Sequence, residues 1–231
     1  MEGVKLFDLA ATPLREVNRY LHRDAVRSGV KRVKILNADG AHSIAAGLAA
    51  PLEVEIDGHA GYYAGGMNMH AHIVVHGNAG PGVGENMMSG SIRVEGFAST
   101  AAGASAHGGT LVVLGDAALR CGISLKGGEI VVRGSVGGNS MFMAQAGALV
   151  VCEDAGEALG DSLYEARIYV RGSVAGLGAD CIEKEVREEH LAQVGDLLAR
   201  AGIEDVRPEE FRRYGSARQL YTFKVDNAGA Y

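Results

Sequence analysis

One feature constrains this chain more than any other: a 19-residue period that runs without insertion through seven copies. Gly58, Gly77, Gly96, Gly115 and Gly134 stand 19 residues apart, one further step falls on Glu153, and the next falls on Gly172. Gly90, Gly109, Gly128 and Gly147 repeat at the same spacing. Four residues before each marker stand Val54, Ile73, Ile92, Leu111, Ile130, Leu149 and Ile168, and two before stand Ile56, Val75, Val94, Val113, Val132, Val151 and Val170. Both columns are aliphatic throughout, while the residue between them varies from Glu55 through Val74, Arg93, Val112, Val131 and Val150 to Tyr169. Such alternation is the pattern of a strand with one buried face. Two residues after each marker every copy has Ala or Val, and the next position is always small, which predicts a tight corner.

A unit this short, with one clear strand, cannot bury its own apolar face. Stacked in register, each copy covers the next. The expected fold class is an all-β core: a right-handed, single-stranded parallel β-helix of about seven 19-residue turns, with helical caps at both ends. At roughly 4.8 Å per rung, seven rungs make a rod about 30 Å long. Alternating strands and helices in a doubly wound sheet would need a dozen or more residues per crossover helix, and the glycines between these strands forbid that.

The flanks lack the repeat. Pro13 to Gly29 reads as a helix, with Leu14, Val17, Tyr20, Leu21 and Val26 apolar and Gly29 as stop, and Val30 to Leu36 reads as a strand. Ile182 to Ala201 reads as an amphipathic helix ended by Gly202; Pro208 opens a short helix, and Leu220 to Val225 reads as a strand. The organisation is therefore a cap over 1–50, the β-helix over 51–180 and a helical tail over 181–231. Caps are expected because a stack of strands has raw edges at both ends.

Composition limits the functions. With 22 Lys and Arg against 28 Asp and Glu the net charge is −6, against a nucleic-acid binder. The 34 glycines without a three-residue period exclude collagen. The start of the chain lacks the basic and apolar regions of a signal peptide, and no apolar run reaches the ~18 residues of a membrane span. Cys121, Cys152 and Cys181 form no C-x-x-C pair, so neither a zinc nor an iron–sulfur motif is present, and a cytoplasmic location with reduced thiols is expected.

Chemistry-bearing motifs are weak. Gly80-Pro81-Gly82-Val83-Gly84 resembles a phosphate loop only in its glycines and lacks the receiving helix. His70 and His72 share a strand face with His76 nearby, and His59 and His107 fall in other columns, so no metal site is expected. Asp57 and Glu95 share a column with Arg133 and Arg171, as well as His76, Leu114 and Cys152, which reads as a solvated outer face of mixed charge. No cysteine lies near the amino terminus, which excludes an amino-terminal-cysteine amidotransferase. No catalytic, cofactor-binding or metal residue is assigned. The internal methionines Met67, Met69, Met87, Met88, Met141 and Met143, with Phe142, Tyr62 and Tyr63, fall on one flank, either as core filling on a second strand or as candidate partner contacts.

The run from Gly58 to Met67, with Gly58/Gly61/Gly65 and Gly77/Gly80/Gly84 spaced G-x-x-G-x-x-x-G, resembles the GXGXG domain over about residues 40 to 180. Together with Gly96, Gly115, Gly134 and Gly172 these glycines are the expected corners, and Gly77 is expected at positive φ; Ser99, Ala118 and Glu153 depart from the pattern. The resemblance implies the right-handed β-helix that closes the large subunit of glutamate synthase. The domain also occurs as a separate component of formylmethanofuran dehydrogenase and as the small β-helix component of N-methylglutamate synthase, the methylamine–glutamate N-methyltransferase. Size and flanks are closest to the last. It implies a non-catalytic subunit holding a class II glutamine amidotransferase-like subunit and an FMN-binding, glutamate synthase-like subunit in a hetero-oligomer, with FMN and an iron–sulfur cluster in a partner. The alternatives are the formylmethanofuran dehydrogenase component, a stand-alone solenoid acting on carbohydrate, or a self-assembling structural protein.

Overall fold

A computed structural model describes residues 4–219. The elements in chain order are β1 (Lys5–Asp8), α1 (Leu14–Arg19), a π-helical turn (Tyr20–Asp24), α2 (Ala25–Ser28) and β2 (Arg32–Leu36). The rungs then contribute β3 (Glu53–Ile56), β4 (His72–Val75), β5 (Ser91–Val94), β6 (Thr110–Val113), β7 (Lys126–Val132), β8 (Ala146–Val151) and β9 (Arg167–Val170). After them come β10 (Cys181–Lys184), α3 (Glu188–Ala201), a 3-10 turn at Pro208–Glu210 and β11 (Arg212–Ser216).

The strands form one sheet in the order β1-β2-β3-β4-β5-β6-β7-β8-β9-β11-β10, parallel from β1 to β9. Register follows the period: Val54 pairs with Ile73, Ile73 with Ile92 and Leu111 with Ile130. Every residue of the two aliphatic columns is at most 1% exposed, because like side chains stack in the interior of a parallel solenoid. A second seam joins the corners, where Ala60, Ala79, Ala98, Ala117, Val136, Ala155 and Val174 bridge in succession. The stack also begins before residue 51: β2 pairs with β3, and Ala41 bridges Ala60. The amino-terminal segment thus supplies a rung as well as a covering helix.

The third side of each rung is an arc of alternating left-handed residues, where a second strand was one expectation. Tyr63, Gly65 and Met67 have φ of 60°, 60° and 54°, and the triplet recurs at Ala101, Gly103 and Ser105, and at Arg120, Gly122 and Ser124. The alternation sends amide groups up and down the stack in turn. Met67 N–H donates to Glu85 O on the following rung at 2.8 Å, while Gly65 N–H donates to Ile44 O on the preceding one at 3.0 Å. Non-glycine residues hold this strained conformation because ladders on both sides fix them.

The flanks differ from expectation in detail. The first helix runs Leu14–Ser28 in three pieces and ends at Gly29 with φ 71°, as its sequence predicts, but Ala25 takes the buried place and Val26 is 56% exposed. The predicted helix from Ile182 is corrected: Cys181–Lys184 is a strand, and the helix starts at Glu188. The cause is the open edge of β9. Antiparallel β11 fills that edge, with Tyr214 opposite Ile168, and β10 pairs with β11 in turn. The strand predicted over Leu220 to Val225 lies outside the described residues.

Candidate interaction surfaces

Each rung presents a strand face, a corner and the arc, and the repeat decides what each side chain can do there. On the strand face, α3 lies across β6 to β9. Val112, Val131, Val150, Cys152 and Tyr169 are buried beneath Val194, Leu197, Leu198 and Ala201. The variable column is apolar from Val112 onward because this helix covers it. Polar contacts rim the dock: Arg93 donates to Ala201 O at 2.8 Å, Arg133 meets Asp205 at 2.8 Å, Arg171 meets Glu210 at 2.8 Å and Arg200 meets Glu129 at 2.6 Å. The separate column expected as a solvated face of mixed charge is buried at Cys152 and half-buried at Leu114, whereas Asp57, His76, Glu95, Arg133 and Arg171 are exposed. His76 sits between two carboxylates, 3.7 Å from Glu55 and 3.0 Å from Glu95.

At the corner, His59, Asn78, Asp116, Ser135 and Asp154, each the residue after a marker, reach along the stack to the next rung's backbone, whereas Phe97 at the same position is apolar. His59 Nδ1 accepts from Asn78 N–H at 3.0 Å, Asn78 Oδ1 from Phe97 N–H at 3.0 Å, and Asp116 Oδ1 from Ser135 N–H at 2.8 Å. Asp154 accepts from both Ser173 N–H and Oγ–H, and these two bonds hold its carboxyl below the usual carboxylate range. The polar groups of this column are thus occupied as structural ties.

Of the predicted corner glycines, Gly58, Gly65 and Gly84 have positive φ, whereas Gly61, Gly77, Gly80, Gly96, Gly115, Gly134 and Gly172 do not. The expectation for Gly77 is corrected: what excludes a side chain there is close approach, since a Cβ would lie 2.7 Å from Gly58 O and 2.8 Å from His59 Nδ1. In Gly80-Pro81-Gly82-Val83-Gly84 the amides of Gly80, Gly82 and Gly84 donate to Ala60 O, Thr100 O and Ala64 O. Neighbouring rungs thus use the N–H groups that a phosphate would need.

The remaining titratable groups are similarly placed. His70 and His72 hydrogen-bond Ser89 Oγ at 3.3 Å and Ser91 Oγ at 2.8 Å, each one rung on, and His70 precedes β4 rather than sharing its face. Among the described residues no group of three or more His, Cys, Asp or Glu is placed to hold a metal ion. Burial pushes the Cys121 and Cys181 thiols up to about 12 and that of Cys152 up to about 11, so all three stay protonated and weakly nucleophilic at neutral pH.

The methionine flank divides. Met87 and Met141 are core residues, whereas Met67, Met69, Met88 and Met143 are between 40% and 48% exposed. Met69 and Met88 occupy the same column on adjacent rungs, and Met67 shares the rung of Met69. Tyr62 is exposed and stacks on the half-buried Tyr63 with ring centroids 5.6 Å apart. Met143 and the half-buried Phe142 lie three rungs beyond Met88, about 14 Å along the axis at the usual spacing, and do not join that patch. The sequence reading missed further exposed apolar residues, among them Phe97 and Leu119 at 50% and 54%. Their positions in outward columns of the repeat were the signal.

Among the described residues no helix is long and apolar enough to cross a membrane. No known family profile matches the chain. It is, however, 57% identical over 226 residues to Protein GlxC of Rhizobium meliloti (strain 1021), a match that covers 98% of this chain and 99% of that protein. Likeness of this degree, along both caps as well as the repeat, places the chain in the GlxC family.

Proposed function

We propose that this protein is the non-catalytic β-helix subunit of a glutamate-synthase-like complex, with N-methylglutamate synthase as the specific reading. In that role it holds a class II glutamine amidotransferase-like subunit and an FMN-binding subunit at a fixed separation in the cytoplasm. FMN and an iron–sulfur cluster belong to the partner, and the partners turn methylamine and glutamate into N-methylglutamate and ammonia. The observation that carries the reading is the way successive rungs are tied on all three sides. The strand ladder, the corner bridges and the alternating arc each hydrogen-bond one rung to the next. A rod tied on every side resists bending, which suits a part that must keep two reacting centres in register. Family membership, the GXGXG resemblance and the exposed methionine and tyrosine flank support the same reading.

The test is purification of tagged protein from its native host, with mass spectrometry of the co-purifying chains. Recovery of an amidotransferase-like chain and an FMN-binding chain supports the proposal, and methylamine-dependent formation of N-methylglutamate by the isolated complex establishes the specific reading. Subunits of a molybdenum or tungsten enzyme would move the assignment to formylmethanofuran dehydrogenase. A lone chain that cleaves polysaccharide would overturn it.

A further inference from the structure

The helix over the first rung carries a row of arginines that no acidic group among the described residues neutralises. Val17, Leu21 and Ala25 are fully buried against the stack. Asn18 locks the helix to the first arc, donating to Ser43 O at 2.9 Å and accepting from Ala45 N–H at 3.0 Å, and His22 Nε2 lies 3.0 Å from Ala46 O. These contacts leave Arg15, Arg19, Arg23 and Arg27 exposed on the outside. Arg15, Arg19 and Arg23, with Glu16 and His22, line an open pocket of about 610 Å³.

Two observations set this row apart. Among the described residues, every arginine outside this helix except Arg120 holds a hydrogen bond or an ion pair, as Arg32 does with Glu53 and Arg218 with Glu165. Arg15, Arg19, Arg23 and Arg27 hold none among the described residues, although Glu16 and Asp24 are on the same helix. The second is geometric. In an α-helix a four-residue step overshoots a full turn by about 40°, so a row spaced by four drifts round the helix. The π turn at Tyr20–Asp24 has more residues per turn, so the step from Arg19 to Arg23 falls short and cancels that drift. Arg15 and Arg23 therefore project alike, about 12 Å apart along the axis.

We infer that this helix face is the docking surface for an acidic, carboxylate-rich segment of a partner subunit. The inference rests on the proposed role in a complex and adds the chemistry of one contact. Three guanidinium groups in a row, fixed on a packed helix, match a short run of Asp and Glu in a partner and need little ordering to engage it. The chain's net charge of −6 opposes approach by a polyanion such as nucleic acid, while a local acidic segment meets only this basic face. The contact is electrostatic and exposed, so it sets association rate and salt dependence.

The test uses the intact complex purified from the host, with tagged wild-type protein beside R15E/R19E/R23E and R15Q/R19Q/R23Q, and with a photo-crosslinking residue at position 27. Melting temperature and circular dichroism of each variant check that the fold is kept. The expected result is one partner subunit lost tenfold or more from the reversed variant and less from the neutral one. Raised salt should release the same subunit from wild type, and the crosslink should map to an acidic stretch of it. A folded reversed variant that retains every subunit would overturn the docking surface and leave the proposed function standing. Wild-type protein without any partner would overturn both. A crosslink joining two copies of this chain would assign the face to self-association instead.

Discussion

Gly122 and Met141 offer the sharpest test of how the arc is packed. Both occupy the central left-handed position of their rungs, at φ 66° and 60°, and Met141 is fully buried. A Cβ on Gly122 would lie 2.6 Å from Met141 Sδ and 3.2 Å from Ile130 Cδ1. Gly122→Ala therefore carries two penalties: about 1–2 kcal/mol for an L-residue in the left-handed region and about 1–3 kcal/mol for overpacking. Gly202→Ala isolates the first, since Gly202 has φ 68° with nothing within 4 Å of its Cβ position. Met141→Ala removes the clashing atoms and alone costs about 2–5 kcal/mol for a truncated core side chain. In the double variant the new Ala methyl enters space the sulfur has left, so its loss falls short of the sum by about 1–2 kcal/mol. Urea unfolding supplies the free energies, and each kcal/mol moves the melting temperature by about 2–4 °C in a chain of this size. Additivity within about 0.5 kcal/mol, or equal losses for Gly122→Ala and Gly202→Ala, would refute the packing argument.

Leu197→Ala empties a fully buried site beneath α3 and should cost about 2–5 kcal/mol, with hydrogen-exchange protection lost first in α3 and β11 while the first rungs keep theirs. His190 is buried, and desolvation, helped by the charge of Arg213, lowers its pKa below 6.5. The folded state therefore favours the neutral ring: stability is fully present above about pH 6.5 and falls as acid protonates the unfolded chain first. The urea midpoint should drop from pH 7 to pH 5.5, and His190→Gln should flatten that slope; an unchanged slope would remove His190 as its source. The three thiols should resist iodoacetamide at pH 8 in the native protein and react within minutes in urea, as counted by mass spectrometry. Rapid native alkylation of Cys121 would contradict its burial.

The repeat made the core legible in advance. Each aliphatic column is seven observations of one environment, so Val54 to Ile168 and Ile56 to Val170 identified both the strand and its buried face. The helix over the first rung was equally readable, because an apolar stripe closed by Gly29 is a local signal. The methionine flank was readable only in part: one period places all six methionines on one side, but nothing local separates the buried Met141 from the exposed Met143 two residues on.

What the sequence determined by itself is the unit: its length, its strand, its small corners and the stacking these force, since a short unit with one apolar face has no other way to bury it. What only the tertiary structure decided lies in contacts between distant segments. Carriage of Val112, Val131, Val150 and Tyr169 under α3, and insertion of β11 beside β9, depend on a helix and a strand from beyond the repeat. The arginines of the first helix are exposed and unpaired for the same kind of reason. Charge can be counted along a chain, but whether an opposite charge stands within reach is settled by the fold, which supplies partners to Arg133, Arg171 and Arg200 and leaves Arg15, Arg19 and Arg23 without one among the described residues.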